Sequence, residues 1–542
     1  MTSNDKTMNQ YVDIPKEKFK IAEGRSNIHD KELETKPVGF MKDAFNRFKK
    51  NKGSVVAAII IIILVLFAVF VPIFSQYTVR YYDSYMKFCY PKSHISEALG
   101  WDFWDGCVEK SYSEVTFRYL YGMGVETGHN AIKNQKYTTK TVNGELKYFV
   151  RYDTYQKNGC IFMDLTEAEY KALQEYQNKT GIQVIYPMTE KSLRPSETKT
   201  PVDFQDANFW YKTKCVDGKT LPELDENGEY QNIYKAYREY AADHKKYPGQ
   251  PADFYDSITI EEKDPVTGKR QYLYAEKNQT GFRVRINYYE YYKYNHTEIL
   301  KDGIEEPFFL FGTDDYGKDL LTCLSAGARL SFIIAIVVSA VNMLVGAIYG
   351  AIEGYYGGAA DLIMERISDI LSAIPFMIVI TLLKMHMKDT GMQQYGHLII
   401  LFISFFLTGW IGMAGRTRMQ FYRFKHQEYV LAARTLGAHD ARIMFKHIFP
   451  NALGTLVTSQ ILVIPGMIFS ESSLSYLGII NLNTGDLTSV GTLLANADPY
   501  LSTYPYMMIF PALFISLLML SFNLFGNGLR DAFNPSLRGA EE

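Results

Sequence analysis

Residues 55–74 read VVAAIIIIILVLFAVFVPIF, twenty positions without a charge. A helix rises ~1.5 Å per residue, so a run of this length crosses the ~30 Å hydrocarbon core of a bilayer. A cleaved signal peptide is the competing reading. Its apolar core is ~7–15 residues and lies near the start of a chain; this run is longer and begins after more than fifty residues. Five further segments have the same character. Residues 330–352, 398–415, 451–470 and 506–529 are free of Asp, Glu, Lys and Arg. Residues 370–387 contain Lys384, which can snorkel from near an interface, and follow Glu365, Arg366 and Asp369. The spacing therefore predicts an α-helical polytopic membrane protein with six transmembrane helices.

Composition agrees once it is divided by region. Over 542 residues, 57 basic side chains face 59 acidic ones, a net charge of −2 that steers the chain toward neither nucleic acid nor acidic lipid. The mean hydropathy is close to zero because very apolar segments are averaged with a very polar one. Wholly soluble, collagenous, disordered and small disulfide-scaffold classes are excluded.

Loop cations set the expected orientation. Lys42, Arg47, Lys49, Lys50 and Lys52 precede the first span and place the N-terminal segment, 1–53, in the cytoplasm. Six spans return the tail, 530–542 with Arg530 and Arg538, to the same side. The loop between the fourth and fifth spans holds Arg416, Arg418, Arg423, Lys425, Arg434, Arg442 and Lys446, and also falls inside. The loop after the second span sets Glu353, Asp361 and Glu365 against Arg366 and supports neither side. Residues 77–328, after the helix at 54–76, are then expected outside, with 77–310 as an inserted domain large enough for its own core and 311–329 at the outer membrane rim.

That segment reads as a mixed α+β domain. It holds 29 of the 41 tyrosines, which serve either as core and surface of a β-rich fold or as a ligand-binding face. Thr166 and Glu169 form a capping box that opens a helix closed by Gly181. Residues 136–142 and 145–152 flank Asn143-Gly144, the strongest short hairpin signal. Residues 257–262 and 270–275 suggest a second hairpin, and 282–289 a further strand. Asn178, Asn278 and Asn295 begin glycosylation sequons that matter only in a eukaryotic secretory route. Cys89, Cys107, Cys160 and Cys215 lie here, and an even number outside the membrane predicts two disulfides in one of three connectivities, with four unpaired thiols or a single pair as the alternative. Their spacing fits no zinc pattern, so no metal site is expected. Cys323, beside the second span, reads as a small buried residue.

No catalytic constellation is present. Gly312-Thr313-Asp314-Asp315-Tyr316-Gly317-Lys318-Asp319 comes near a phosphate-binding loop but ends in a carboxylate, where Ser or Thr is needed for magnesium. The informative stretch is the loop 416–450. Residues 428–437, EYVLAARTLG, form a short helix stopped by Gly437, and 440–449 a second one leading to Pro450. Ala432 and Ala433 offer a face that another surface can approach closely, and Arg434 a planar donor fork. This is a rigid knob for a cytosolic partner, or an amphipathic helix lying on lipid.

Here the sequence resembles a known family. EYVLAARTLGAHDARIMFKHIFPN is similar to the "EAA" coupling loop of the C-type permease of bacterial dipeptide and oligopeptide ABC importers, with Leu431 in place of the acidic residue. FGTDDYGKDLLTCLSAGARLSF resembles the family's segment at 311–329 and beyond, Lys318 replacing arginine. ESSLSYLGI, FNLFGNGLRDAFNPSLRG and the helix around 55–74 continue the match in order. The resemblance implies a type I ABC importer permease fold, 330–529 forming helices 2–6, with the insertion between helices 1 and 2 as its departure. It implies a homologous B-type permease, two ATPase subunits that hold ATP and magnesium, a lipid-anchored peptide-binding protein and a peptide substrate; this chain would bind no cofactor and no nucleic acid, and would not be an enzyme. ATPase coupling would fall to Glu428, Leu431, Ala432, Ala433, Arg434, Gly437 and Pro450. Polar groups within the spans, Asn342, Thr381, Ser404, Thr408, Gln460 and Asn523, are pathway-lining candidates or interhelical hydrogen-bonders. Competing readings are a receptor whose outer domain senses a ligand, a membrane-anchored envelope enzyme, or a permease for a non-peptide cargo such as a nickel complex.

Overall fold

The computed structural model describes residues 40–113, 116, 117, 120, 124, 127–186, 188, 213–216, 219–222, 261–263, 270–272, 274–279, 281–387, 396–482 and 487–533. Among the described residues, five helices are long and apolar enough to cross a membrane: TM1 (Lys52–Phe74), TM2 (Leu320–Tyr356), TM4 (Gly396–Phe424), TM5 (Asp440–Tyr476) and TM6 (Tyr506–Phe533). A pair bent by 68°, Gly358–Ser372 and Phe376–His386, makes a sixth if counted as one span, TM3. The expected third helix over 370–387 therefore straddles a bend. Pro375 lies in the break; it offers no N–H and drives the residue before it out of helical geometry. TM2 begins ten residues before the apolar run, because the buried Asp319 carboxylate caps it by accepting from the Thr322 amide at 3.0 Å.

Small residues decide which spans touch. Gly346, Gly350 and Gly354 recur every fourth residue on TM2, and a Cβ on each would stand 2.4, 2.1 and 2.7 Å from the Trp410, Ala414 and Arg418 carbonyl oxygens of TM4. Only glycine permits that approach, which replaces the absent hydrophobic drive between helices with close van der Waals packing. TM1 is tied to TM6 by the Ser54 hydroxyl donating to the Leu524 carbonyl at 3.1 Å. Its outer face, including Ile59, Ile62 and Phe70, is exposed, as a lipid-facing helix requires.

The segment between TM1 and TM2 carries the sheets. β1 (Cys107–Ser113), β2 (Ile132–Val142) and β3 (Glu145–Asp153) form an antiparallel sheet in the order β1-β3-β2, its hairpin turning at Asn143-Gly144 with φ of 53° and 84°. β4 (Cys160–Leu165) and β5 (Ile185–Tyr186) both pair with a central strand, as does β10 (Ala275–Lys277). The short pairs β6 (Thr213–Val216) with β7 (Lys219–Pro222) and β8 (Glu261–Lys263) with β9 (Arg270–Tyr272) precede β10 (Ala275–Lys277) and that central strand, β11 (Phe282–Asn287). The second expected hairpin is thus present at β8–β9, with 257–260 outside the described residues. Helix Glu167–Thr180 has the expected capping box and Gly181 at its end. The expected strand 282–289 stops at Asn287, whose side chain accepts from the Tyr289 amide and starts helix Tyr288–Tyr294.

Many of the tyrosines are core. Tyr77, Tyr155, Tyr288, Tyr289, Tyr292 and Tyr294 pack with Val284, Ile286 and Phe309 in one buried cluster. The Tyr155 hydroxyl bonds the carbonyls of Tyr90 at 2.9 Å and Phe309 at 3.0 Å, so that ring is buried with its polar tip satisfied. Contacts from the insertion continue across position 310. The Cys89 amide donates to the Thr313 hydroxyl at 2.8 Å, and the Tyr506 hydroxyl of TM6 donates to the Thr313 carbonyl at 2.8 Å. Phe88 stacks on Tyr504 at 4.3 Å and Phe311 on Phe510 at 4.1 Å. The insertion is therefore seated on the ends of TM2 and TM6. In the GTDDYGKD segment, Asp314 accepts from the Tyr316 and Lys318 amides at 2.9 and 2.8 Å, so its carboxylate holds its own turn. Burial pushes that carboxyl up to about 6.

The expectation of two disulfides is corrected. Cys89 and Cys107 are free thiols. Cys89 fills a fully buried site as a small apolar residue, its thiol donating to the Met86 carbonyl at 3.3 Å. Cys107 opens β1 opposite Asp153 on β3, with no cysteine facing it. Cys160 opens β4 opposite Asn287, and the Cys215 side chain lies outside the described residues. Burial pushes the Cys89 thiol up to about 11 and, with Asp153 and Asp105 adding to it, the Cys107 thiol up to about 12. Both should resist iodoacetamide at neutral pH in the native protein and be fully alkylated after denaturation without reductant. Mass spectrometry finding either one still blocked at that stage would restore the bridge.

Candidate functional site: the TM4–TM5 loop

The loop is built from the ends of three spans. TM4 ends at Phe424, and helix Glu428–Thr435 follows after three residues. Its inward residue, Val430, is fully buried among Ala351 and Tyr355 of TM2, Phe421 of TM4, and Ile443, Met444 and Ile448 of TM5. The helix ends in a Schellman turn. The Ala438 amide donates to the Ala433 carbonyl and the Gly437 amide to the Arg434 carbonyl, at 3.1 and 3.0 Å, with Gly437 at φ 80°. The chain then enters TM5 without a break. The expected helix 440–449 is continuous with it, through a π turn over Ile443–Ile448. The reason is Pro450, which follows at once: its ring clashes with an ordinary α turn, and the wider turn accommodates it.

Polar contacts fix the orientation. The Tyr355 hydroxyl donates to Asp440 Oδ1 at 2.6 Å. The Arg434 guanidinium lies over the Tyr355 ring, 5.8 Å from its centre, and one of its nitrogens donates to the Tyr355 oxygen at 3.4 Å. Asn451 Nδ2 donates to the Tyr429 oxygen at 3.3 Å. Outward, the surface is small and apolar: Ala432 and Leu431 are exposed, Leu436 is 87% exposed, and Ala433 is half-buried. Glu428 and Pro450 are exposed at either end. Of the seven coupling candidates, Glu428, Leu431, Ala432, Ala433 and Arg434 thus fall on this helix, Gly437 on the turn that ends it and Pro450 in TM5.

Sequence reasoning missed the clamp above it. Arg418 of TM4 donates from Nε to Asp361 Oδ1 at 2.6 Å and from Nη1 to Glu365 Oε1 at 2.8 Å, both on the first limb of TM3. Its Nε is also 3.5 Å from the buried Glu353 carboxylate of TM2. The Tyr422 hydroxyl donates to Asp361 as well. These acids are the ones that made the TM2–TM3 loop uninformative about orientation; their signal was a facing arginine, visible only once TM2 and TM4 are side by side.

The six pathway candidates divide. Asn342 is buried and donates to the Phe405 carbonyl at 3.3 Å; Gln460 is buried and donates to the Ser339 carbonyl and hydroxyl at 2.8 and 2.7 Å, each crossing to another span. Buried Ser404 bonds back to Ile400 in its own helix. Thr381 also bonds within its helix and is exposed, Thr408 is half-buried, and Asn523 is exposed. A second missed residue is Glu471, one position past the apolar run counted for the fifth span. It is 1% exposed, and the Ser331 hydroxyl of TM2 and the Ser475 hydroxyl of TM5 donate to it at 2.7 and 3.0 Å.

Apolar spans packed through small residues, with a packed loop helix between the fourth and fifth, define a polytopic α-helical membrane protein. The chain belongs to the family described as the binding-protein-dependent transport system inner membrane component, which matches residues 342–539, and residues 39–90 match the N-terminal TM domain of oligopeptide transport permease C. It is similar to the oligopeptide transport system permease protein OppC of Bacillus subtilis, 42% identical over 46% of this chain and 78% of that one. The dipeptide transport system permease protein DppC of the same organism is 38% identical over 42% of this chain and 69% of its own. OppC of Haemophilus influenzae is 38% identical over 43% and 72%. These relatives are transport system permease proteins.

Proposed function

We propose that this chain is the C-type permease subunit of an ATP-driven importer that takes up oligopeptides. A lipid-anchored binding protein delivers the peptide, and a B-type permease completes the pathway. Two ATPase subunits carry ATP and magnesium. The termini and the TM4–TM5 loop lie in the cytoplasm and the insertion lies outside, following the loop cations. One observation carries the reading: the helix Glu428–Thr435 is bolted to TM2, TM4 and TM5 through Val430, yet turns Ala432 and Leu436 outward. A surface that is stiff underneath and smooth on top transmits the motion of a docked ATPase to three spans at once, as rigid-body coupling requires.

The test is Ala432→Glu in the subunit co-expressed with its partner permease and ATPases. Ala432 is exposed, so the variant keeps its fold, while a carboxylate desolvated at the contact costs several kcal/mol. Co-purification of the ATPases should fall at least about tenfold, the equivalent of ~1.4 kcal/mol, with membrane insertion and the partner permease retained. Undiminished recovery of the ATPases would rule out this docking surface.

A further inference from the structure

The segment between Lys92 and Trp104 carries apolar side chains that the fold leaves uncovered. Ile95 is 69%, Leu99 57%, Trp101 57% and Phe103 71% exposed. Short helix His94–Leu99 and the residues after it hold these four on one stretch. Its two acidic residues are drawn elsewhere: Glu97 reaches Lys92 at 3.7 Å, and Asp102 reaches Arg151 of β3 at 3.4 Å. Arg151 also donates to the Asp102 carbonyl. The segment is thus amphipathic without being a long helix.

Its place in the fold identifies what covers the apolar side. Trp104, next in sequence, donates from its indole N–H to the Leu310 carbonyl at 2.5 Å. Its ring lies 5.7 Å from that of Phe510 on TM6, and Phe103 packs edge-on against it at 5.4 Å. Phe510 is four residues into TM6, roughly 6 Å along the helix from its start. The exposed Ile509 and Leu513 of TM6 flank it. Tyr500, Tyr504 and Tyr506 gather at the same end against Phe88 and Tyr90, an aromatic belt of the kind found at bilayer interfaces. Through Phe103 and Trp104 the uncovered segment therefore adjoins the first turns of a membrane span.

We infer that residues 95–103 form an interfacial anchor, with Trp101 and Phe103 inserted into the headgroup–acyl boundary of the leaflet where TM6 begins. Trp and Phe suit that depth, since apolar rings partition there while the backbone stays near polar headgroups. The anchor holds the insertion against the membrane surface. It makes no use of the proposed transport function and stands or falls independently of it.

The test uses the full chain in nanodiscs of phosphatidylcholine and phosphatidylglycerol. An NBD fluorophore is attached at Phe103→Cys and, separately, at Leu99→Cys, with the unsubstituted chain labelled in parallel to subtract native cysteines. Leu146→Cys, near the far end of the β2–β3 hairpin, is the reference. Quenching by lipids spin-labelled near the headgroup should be roughly twofold or more stronger at 103 and 99 than at 146, with aqueous iodide showing the reverse order. Equal iodide quenching at all three positions would overturn the anchor. So would protection at 103 from both quenchers, or protection that arises only when the partner permease is added, since the patch would then be a protein contact.

Discussion

Gly437→Val should abolish peptide uptake, leaving at most about a tenth of the rate, while the subunit remains inserted. Gly437 sits at φ 80° in the turn that ends the loop helix, and a Cβ there meets no neighbouring atom within 4 Å. The cost is therefore conformational. A β-branched residue held at positive φ loses roughly 1–3 kcal/mol, and the turn relieves this by rotating out of the left-handed region. That rotation breaks the Ala438-to-Ala433 and Gly437-to-Arg434 hydrogen bonds and swings Leu436 and Ala432 away from their present positions relative to TM5. ATP hydrolysis by the assembled complex should continue but lose its dependence on loaded binding protein. Gly437→Asn is the discriminating control, because asparagine tolerates the left-handed region and should retain most uptake. Uptake of labelled peptide into proteoliposomes, alongside phosphate release, measures both. Equal losses in the valine and asparagine variants would show that side-chain bulk at the contact, not the turn, matters.

Arg418→Ala should destabilise the folded subunit by about 2–3 kcal/mol, at the low end for breaking an enclosed ion pair because the site is partly exposed. The substitution leaves Glu353, Asp361 and Glu365, from two spans, facing one another without their shared cation. Repulsion then pries the first limb of TM3 from TM4 just above the loop. Arg418→Lys should recover only part of the loss: an ammonium is a point charge and cannot bridge two carboxylates with a planar fork. Removing Asp361 and Glu365 together with Arg418 should restore part of what Arg418→Ala loses. Thermal unfolding of the detergent-solubilised subunit gives the order. An alanine variant as stable as the parent would mean that water already screens the cluster.

The spans, the capping box at Thr166, the Asn143-Gly144 hairpin and the glycine stop at 437 were legible because each depends on residues within one turn or one bilayer thickness. The third span was misplaced for a local reason too, since a hydropathy window averages across Pro375 and does not register a bend. Cysteine parity misled because an even count says nothing of distance: Cys89 was claimed by a core and Cys107 by a strand edge facing Asp153. Position 310 looked like a boundary because the family resemblance resumes at 311, whereas the Cys89 amide and the Met86 carbonyl both bond to the Thr313 hydroxyl across it.

What the sequence determined by itself is the local and the periodic: apolar length, caps, turns, and a loop whose composition marks it as a contact surface. Tertiary structure alone decided the long-range pairings. Arg418 finds Asp361 across 57 residues, Glu471 finds Ser331 across 140, and Cys89 bonds to Thr313 across 224. Each joins groups whose separation along the chain carries no periodic signal, and each forms because a buried polar atom far from water must find a partner wherever the packing of spans and sheets brings one.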